Sequence, residues 1–296
     1  MRWLRHWPFV LGALLPAVAV VEIIGNVWTA HRVPDRPAFA AAARVVAAEH
    51  RPGDLVIVDP EWLGEGRVAM GPWIPLEDEA RADVLDYPRI WVLTLAGRHH
   101  PDTAGLPVEG EWDFDGLRLT RFRNTRYAPA LWRAYEHVAE ARVTVRTPEG
   151  EKPCRWNERE GRHDCGPPVA EPWVWVGPFV TTDMAQQAHF CLWSHPTHRG
   201  PVVTTFEGVP AGRTLSVYTA MTYIAARDMD KPPVHIDVEI DGRLVGGADQ
   251  PDGAPWQRWS FPVPEGPPVR TVRFLVSASF QGMRHFCFDA AMRGAP

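Results

Sequence analysis

The stretch His189-Phe190-Cys191-Leu192-Trp193-Ser194-His195-Pro196-Thr197-His198-Arg199 is the densest polar and aromatic cluster in the chain. Three kinds of chemistry could use it. As a metal site, His195 and His198 stand at i, i+3, a spacing that suits two imidazoles on one helical face. Pro196 between them argues for an extended turn and a third ligand is missing, so no metal is expected. As a nucleophile, Ser194 beside His195 lacks both the strained glycine-flanked elbow and a placed acid, so no catalytic residue is assigned. As a sugar-contacting loop, Trp193 supplies an apolar ring face while His195, His198 and Arg199 supply donors to hydroxyls. The plain alternative is a strand and its exit loop, with the polar side chains satisfied locally. Trp256, in the loop after Gly253-Ala254-Pro255, is a second aromatic of the kind that stacks on sugar rings. The expected ligand-binding set is therefore Trp193, His195, His198, Arg199 and Trp256.

Other candidates read as scaffold. Trp173 and Trp175 share one face of a strand and belong in a core. Asp228-Met229-Asp230 and Asp249-Gln250-Pro251-Asp252-Gly253 lack calcium-loop periodicity and read as solvated turns. Glu158, Glu160 and Asp164 alternate with Arg155, Arg159, Arg162 and His163, the pattern of a solvated face, and glycosidase chemistry would need two carboxylates at a fixed separation. No cofactor is expected. The four cysteines, Cys154, Cys165, Cys191 and Cys287, all lie in the second half. In an exported chain they form two disulfides; of three connectivities, Cys154 with Cys165 closes a short loop and Cys191 with Cys287 joins two distant strands.

The compartment depends on the N-terminus. The run Pro8 to Ala30 holds a single charge, Glu22, behind Arg2 and Arg5, and closes near Trp28; at about 1.5 Å per residue it just spans about 30 Å of hydrocarbon. Ala17-Val18-Ala19 offers a signal-peptidase alternative. Either way the remainder is exported: a single-pass membrane-anchored protein with its bulk extracytoplasmic, partnered by the lipid bilayer through the N-terminal helix, or a secreted or periplasmic one after cleavage. A net charge of −5 without a basic stripe argues against nucleic acid.

The elements that would carry these residues fall in two halves. Asp35 caps a helix reaching about His50, and Arg51-Pro52-Gly53-Asp54 breaks it before the apolar strand Leu55 to Val58. Pro75 opens a second helix to about Leu85, and Ile90 to Leu95 is a strong strand, so this half reads as a small α/β layer with parallel strands. Leu117 to Phe122 follows the Asp115-Gly116 turn. Pro129 opens a helix with Leu131, Tyr135 and Val138 on one face, leading to an alternating strand, Arg142 to Arg146. Beyond it come short strands, among them Leu215 to Tyr218, His235 to Asp241 before the Asp241-Gly242 hairpin turn, and Val272 to Val276. The expected fold is α+β with two domains: residues 1–31 a membrane helix or signal segment, 32–127 a small α/β domain, and 128–296 a disulfide-stapled antiparallel β-sandwich, jelly-roll-like.

Two resemblances attach to these patterns. The amphipathic helix ending in Arg51-Pro52-Gly53-Asp54-Leu55-Val56-Ile57-Val58, a Trp/Pro-rich loop and Arg89-Ile90-Trp91-Val92 resemble the extracytoplasmic tail of GT-C class polyprenyl-phosphate-sugar glycosyltransferases, over roughly residues 20 to 125. In that class catalysis belongs to a bundle of membrane helices, so the resemblance implies fold and compartment only. The run Pro233 to Arg243, followed by Trp259-Ser260-Phe261-Pro262-Val263 and Val272 to Ala278, resembles galactose-binding-like jelly-roll carbohydrate-binding modules, over roughly residues 190 to 293. Glycan binding without catalysis, in the cell envelope, is the function that follows. An enzyme or accessory subunit of envelope glycan transfer and a structural envelope protein without a small ligand are the alternatives.

Overall fold

The computed structural model describes residues 7–30, 34–74, 82–95, 97–227 and 230–294. The chain divides into two compact units, Met1–Pro75 with Tyr87–Thr125, and Leu76–Asp86 with Arg126–Pro296. In unit 1 the apolar N-terminal run forms one helix, α1 (Trp7–Ala30), with Val18, Val21 and Ile24 exposed. Among the described residues no helix is long and apolar enough to cross a membrane, so the expected membrane helix and its lipid partner have no support in the structure.

Helix α2 (Arg36–Glu49) starts as its sequence dictates: Asp35 Oδ1 accepts from the Ala38 N–H at 2.9 Å, with Pro37 in the first turn. Gly53 takes φ 88°, where a side chain would be strained, and turns the chain into β1 (Asp54–Asp59). Helix α3 (Gly64–Met70) leads back to β2 (Arg89–Leu95), parallel to β1, and the hairpin β3 (Val108–Phe114) and β4 (Leu117–Arg123) completes a sheet ordered β1-β2-β4-β3. Phe39, Ala42 and Val46 of α2 pack on Val56, Trp91 and Leu119. The expected helix opening at Pro75 falls largely on 75–81, outside the described residues; Val84–Asp86 is a single 3-10 turn.

Unit 2 is a β-sandwich. One sheet runs β16-β13-β18-β11-β10-β9-β8, with β5 also on β18: β16 is Gln257–Pro262, β13 Thr214–Met221, β18 Phe286–Arg293, β11 Ala188–Ser194, β10 Trp175–Thr182, β9 Arg162–Asp164, β8 Arg155–Asn157 and β5 Ala130–Arg133. The other runs β15-β14-β17-β12-β6-β7: Arg243–Gln250, Val234–Ile240, Val269–Ala278, Val202–Pro210, Arg142–Thr147 and Gly150–Pro153. Both sheets contribute to one core, with Leu192, Val217 and Phe288 from the first and Phe206, Ile236 and Phe274 from the second. Strand β14 buries Val234, Ile236, Val238 and Ile240 in strict alternation, and Asp241-Gly242 takes positive φ at both turn residues.

The helix expected from Pro129 is not formed. Ala130–Arg133 pairs with β18 instead, burying Trp132 and exposing Leu131, and Tyr135–Glu140 is a 3-10 helix. An available strand edge outweighs the helical spacing of Leu131, Tyr135 and Val138.

Two disulfides staple the unit, Cys154 to Cys165 and Cys191 to Cys287. On the outer face of β13 and β18 lies a buried charge network. Arg293 donates from Nε to Ser216 Oγ at 3.1 Å, from Nη1 to Asp86 Oδ1 at 2.8 Å and to the Ala128 carbonyl, and from Nη2 to Asp83 and to the Tyr218 hydroxyl. Arg133 pairs with Asp86 and stands 3.5 Å from Asp289 Oδ2. Burial pushes Asp289 up to about 7, against the pull of Arg133. Tyr218 is likewise pushed well above its ordinary range, by burial and by Asp83.

Two outcomes follow from this frame. Alkylation of native protein should label no cysteine, and all four after reduction. Serine at Cys191 or Cys287 should cost about 2 kcal/mol more than at Cys154 or Cys165, because the freed loop is longer, 96 residues against 11. Because the folded-state pKa of Asp289 lies well above that of an ordinary carboxyl, the native state holds the extra proton between about pH 4 and 7. Stability from this group is present below that window and lost as pH rises through it. Asp289→Asn should remove that loss: wild type minus variant, from urea unfolding at several pH values, should fall from pH 4 to 7, and a flat difference would contradict the assignment.

Candidate functional site

The site is built on one turn and one loop of unit 2. The turn is Glu171-Pro172-Trp173-Val174, closed by the Val174 N–H to the Glu171 carbonyl at 3.0 Å. Val174 is buried and its carbonyl receives the N–H of the disulfide-bonded Cys165, so the turn is fixed on its exit side. Trp173 sits at the tip with 54% of its surface exposed. It was expected in the core; strand β10 begins only at Trp175, and the turn carries Trp173 away from the sheet.

Glu171 fixes the other side. Thr197 Oγ1 donates to its Oε2 at 2.7 Å, and His198 Nδ1 lies 2.6 Å from its Oε1. The Arg199 N–H donates to Thr197 Oγ1 at 3.2 Å. Gln281 Oε1 accepts from the His198 N–H at 2.8 Å and lies 3.1 Å from His198 Nδ1. Facing two acceptors, Nδ1 carries a proton. Burial would raise the Glu171 carboxyl, but the Thr197 bond and the charges of His198 and Arg199 outweigh it and hold the group below its usual range. Gly200 pins the loop from below: a Cβ there would stand 1.9 Å from the Arg146 carbonyl oxygen, and its φ is 139°.

The five expected ligand residues part company. His198 and Arg199 are exposed in this loop. His195 is buried, its Nδ1 2.8 Å from the Pro196 carbonyl, and burial lowers its pKa so that the ring stays neutral. Trp193 is half-buried in an aromatic row, stacked on Trp175 at 5.2 Å and edge-on to Phe179 at 5.2 Å, with His285 at 5.2 Å. These rings support the loop from behind. Trp256 is no open platform. It stacks on His189 at 4.4 Å and 2° and on Tyr218 at 5.7 Å and 15°, and its backbone N–H donates to the buried Asp183 at 2.8 Å. His189 and Trp193 are four residues apart on β11, about 13 Å along a strand, so Trp256 and the loop form separate clusters.

One acidic residue also departs from expectation. Asp252 is not solvated: it forms a buried ion pair with Arg284 at 2.7 Å. Asp249 meets His235 Nδ1 at 2.7 Å, while Asp228 and Met229 lie outside the described residues. In the short disulfide loop His163 turns inward, its Nε2 2.9 Å from the Val138 carbonyl. Sequence reasoning missed Glu171 and Gln281; the acid-proline-tryptophan order at 171–173 was the available signal for the first, and Gln281 had none.

No family profile and no curated protein matches the chain. Among solved structures it is similar to tandem CBM51 modules of a family 98 glycoside hydrolase from Streptococcus pneumoniae, at 11% identity and TM-score 0.31, covering 40% of this chain and 36% of that one. It is similar to CBM51 from a Clostridium perfringens GH95 in complex with methyl-galactose, at 10% and 0.30, covering 39% and 81%. A third is a CBM36 in complex with calcium and xylotriose, at 13% and 0.22, covering 40% and 87%. The neighbours are carbohydrate-binding modules. The chain spans only 36% of the first of them, and the glycosyltransferase resemblance of residues 20 to 125 finds no support.

The geometry reverses the roles of two tryptophans. Trp256→Ala should destabilise unit 2 by about 2 kcal/mol, since it removes a stacked, partly buried ring. Thermal unfolding checks this, and an unchanged midpoint would return Trp256 to the surface.

Proposed function

We propose that the chain is an exported, non-catalytic glycan-binding protein whose unit 2 takes a sugar at the Trp173 turn. The observation that carries the reading is an exposed indole at the tip of a turn whose base, Glu171, is bonded to the loop bearing His198 and Arg199. A pyranose has an apolar face that stacks on an indole and a rim of hydroxyls that needs donors and acceptors. The exposed His198 ring and Arg199 guanidinium serve those hydroxyls, while Glu171, its carboxylate buried behind the loop, holds them in place. The turn and loop are tied before any ligand arrives, so little ordering entropy opposes binding. Export is supported by the two disulfides, which persist in an oxidising compartment.

A shallow site of this kind desolvates little area, so affinity should lie near millimolar, about −4 kcal/mol, and gain through multivalency at a glycan surface. Trp173→Ala should lower affinity for the best sugar on a printed glycan array by about tenfold or more, with the thermal midpoint nearly unchanged because the ring is outside the core. Arg199→Gln should weaken binding less. Wild-type protein that is folded and binds no glycan would replace this reading with a structural role.

A further inference from the structure

Unit 1 repeats the arrangement. Strands β1 and β2 are parallel and in register to Asp59 opposite Thr94, so both end on the same rim of the sheet, the rim where ligands of open α/β sheets bind. At the end of β1 the sequence Asp59-Pro60-Glu61-Trp62-Leu63 makes a turn closed by the Leu63 N–H to the Pro60 carbonyl at 2.9 Å. Leu63 is buried and anchors the turn, while Trp62 stands at its tip 74% exposed. The position is that of Trp173 in its own turn, again with an acid and a proline just before it.

Asp59 is mostly buried, and its Oδ2 has no hydrogen-bond partner among the described residues. Arg98, from the loop after β2, brings Nε to 3.5 Å, close enough to balance the charge but without a hydrogen bond. Gly97, at φ 75°, makes the turn that places Arg98 there, with the Arg98 N–H on the Leu95 carbonyl at 3.2 Å. A buried carboxylate oxygen left unbonded is costly, and a donor from a ligand removes the cost. The charges select the ligand class. Asp59 and the exposed Glu61 disfavour a phosphate or carboxylate, and Arg98 disfavours a bare cation. A neutral polyol satisfies both, giving a hydroxyl proton to Asp59, a hydroxyl oxygen to Arg98 and an apolar face to Trp62. We infer that unit 1 carries a second glycan site, formed by Asp59, Trp62 and Arg98 and selective for neutral sugars.

The test uses the full chain on a printed array of neutral, amino and acidic glycans, with Trp173→Ala as the background that weakens the site of unit 2. Neutral glycans should remain bound by Trp173→Ala, and adding Trp62→Ala should reduce that residual signal about tenfold. Asp59→Asn should reduce it too; Trp62→Ala, at an exposed turn tip, keeps the test valid if that variant folds poorly. Arg98→Gln should weaken it in the same direction. If Trp173→Ala alone abolishes all binding, or the residual signal survives Trp62→Ala, the second site is refuted while the site of unit 2 stands. If the residual signal is confined to acidic glycans, the neutral-sugar assignment is refuted. A chain that binds nothing before any substitution defeats both readings together.

Discussion

The buried guanidinium of Arg293 is the constraint on which unit 2 depends. All five of its N–H groups are engaged, through Ser216, Asp86, the Ala128 carbonyl, Asp83 and the Tyr218 hydroxyl. A buried charge with one partner missing would be strongly destabilising, so these groups are held or lost together. They come from four places in the sequence: the 83–86 turn, the segment before β5, strand β13 and strand β18. Burial alone would lower the pKa of Arg293; Asp83, Tyr218 and Asp86 more than reverse this and keep it charged. The network therefore fixes one face of the sheet, and the opposite, apolar face is left to form the core with the second sheet.

Strand patterning was readable because burial on one side leaves a period of two in the residues. Ile236, Val238 and Ile240 against Asp237 and Glu239 settle the facing of β14 without any knowledge of its partners, and Asp-Gly pairs mark the β3–β4 and β14–β15 hairpins. Of the three possible cysteine pairings, the favoured one is the one formed. Readings that depended on a partner distant in sequence did not come through. Leu131 to Val138 has helical spacing, and only the edge of β18, some 160 residues later, turns Ala130–Arg133 into a strand. The sequence also placed Trp173 on a buried strand face and Trp256 on an open loop, although both follow a proline, and the structure has them the other way round. What separates them is Asp183, which fixes Trp256 against His189, and a sheet that starts two residues too late to cover Trp173.

The same limit governed the binding residues. His195 and His198 looked equivalent, three residues apart, yet Pro196 turns the chain between them so that one ring is buried and the other meets Glu171. The exposed members of the loop were legible as chemistry; the groups that orient them, Glu171 and Gln281, lie 27 residues before and 83 after His198 and carry no local signature. Polar residues acquire roles from what they meet, and that is set by topology.

The place of β18 in the sheet has a consequence for how the molecule is made. Every other strand of unit 2 precedes it in the chain, yet it lies between β13 and β11 in the middle of its sheet and supplies Cys287, Asp289 and Arg293. Until β18 emerges, β13 and β11 have no common neighbour, two open edges face solvent and Cys191 has no native partner. Vectorial synthesis thus delivers the centrepiece after its neighbours: the sandwich cannot be assembled by adding strands outward as they appear, and its cooperative closure waits for β18 to emerge.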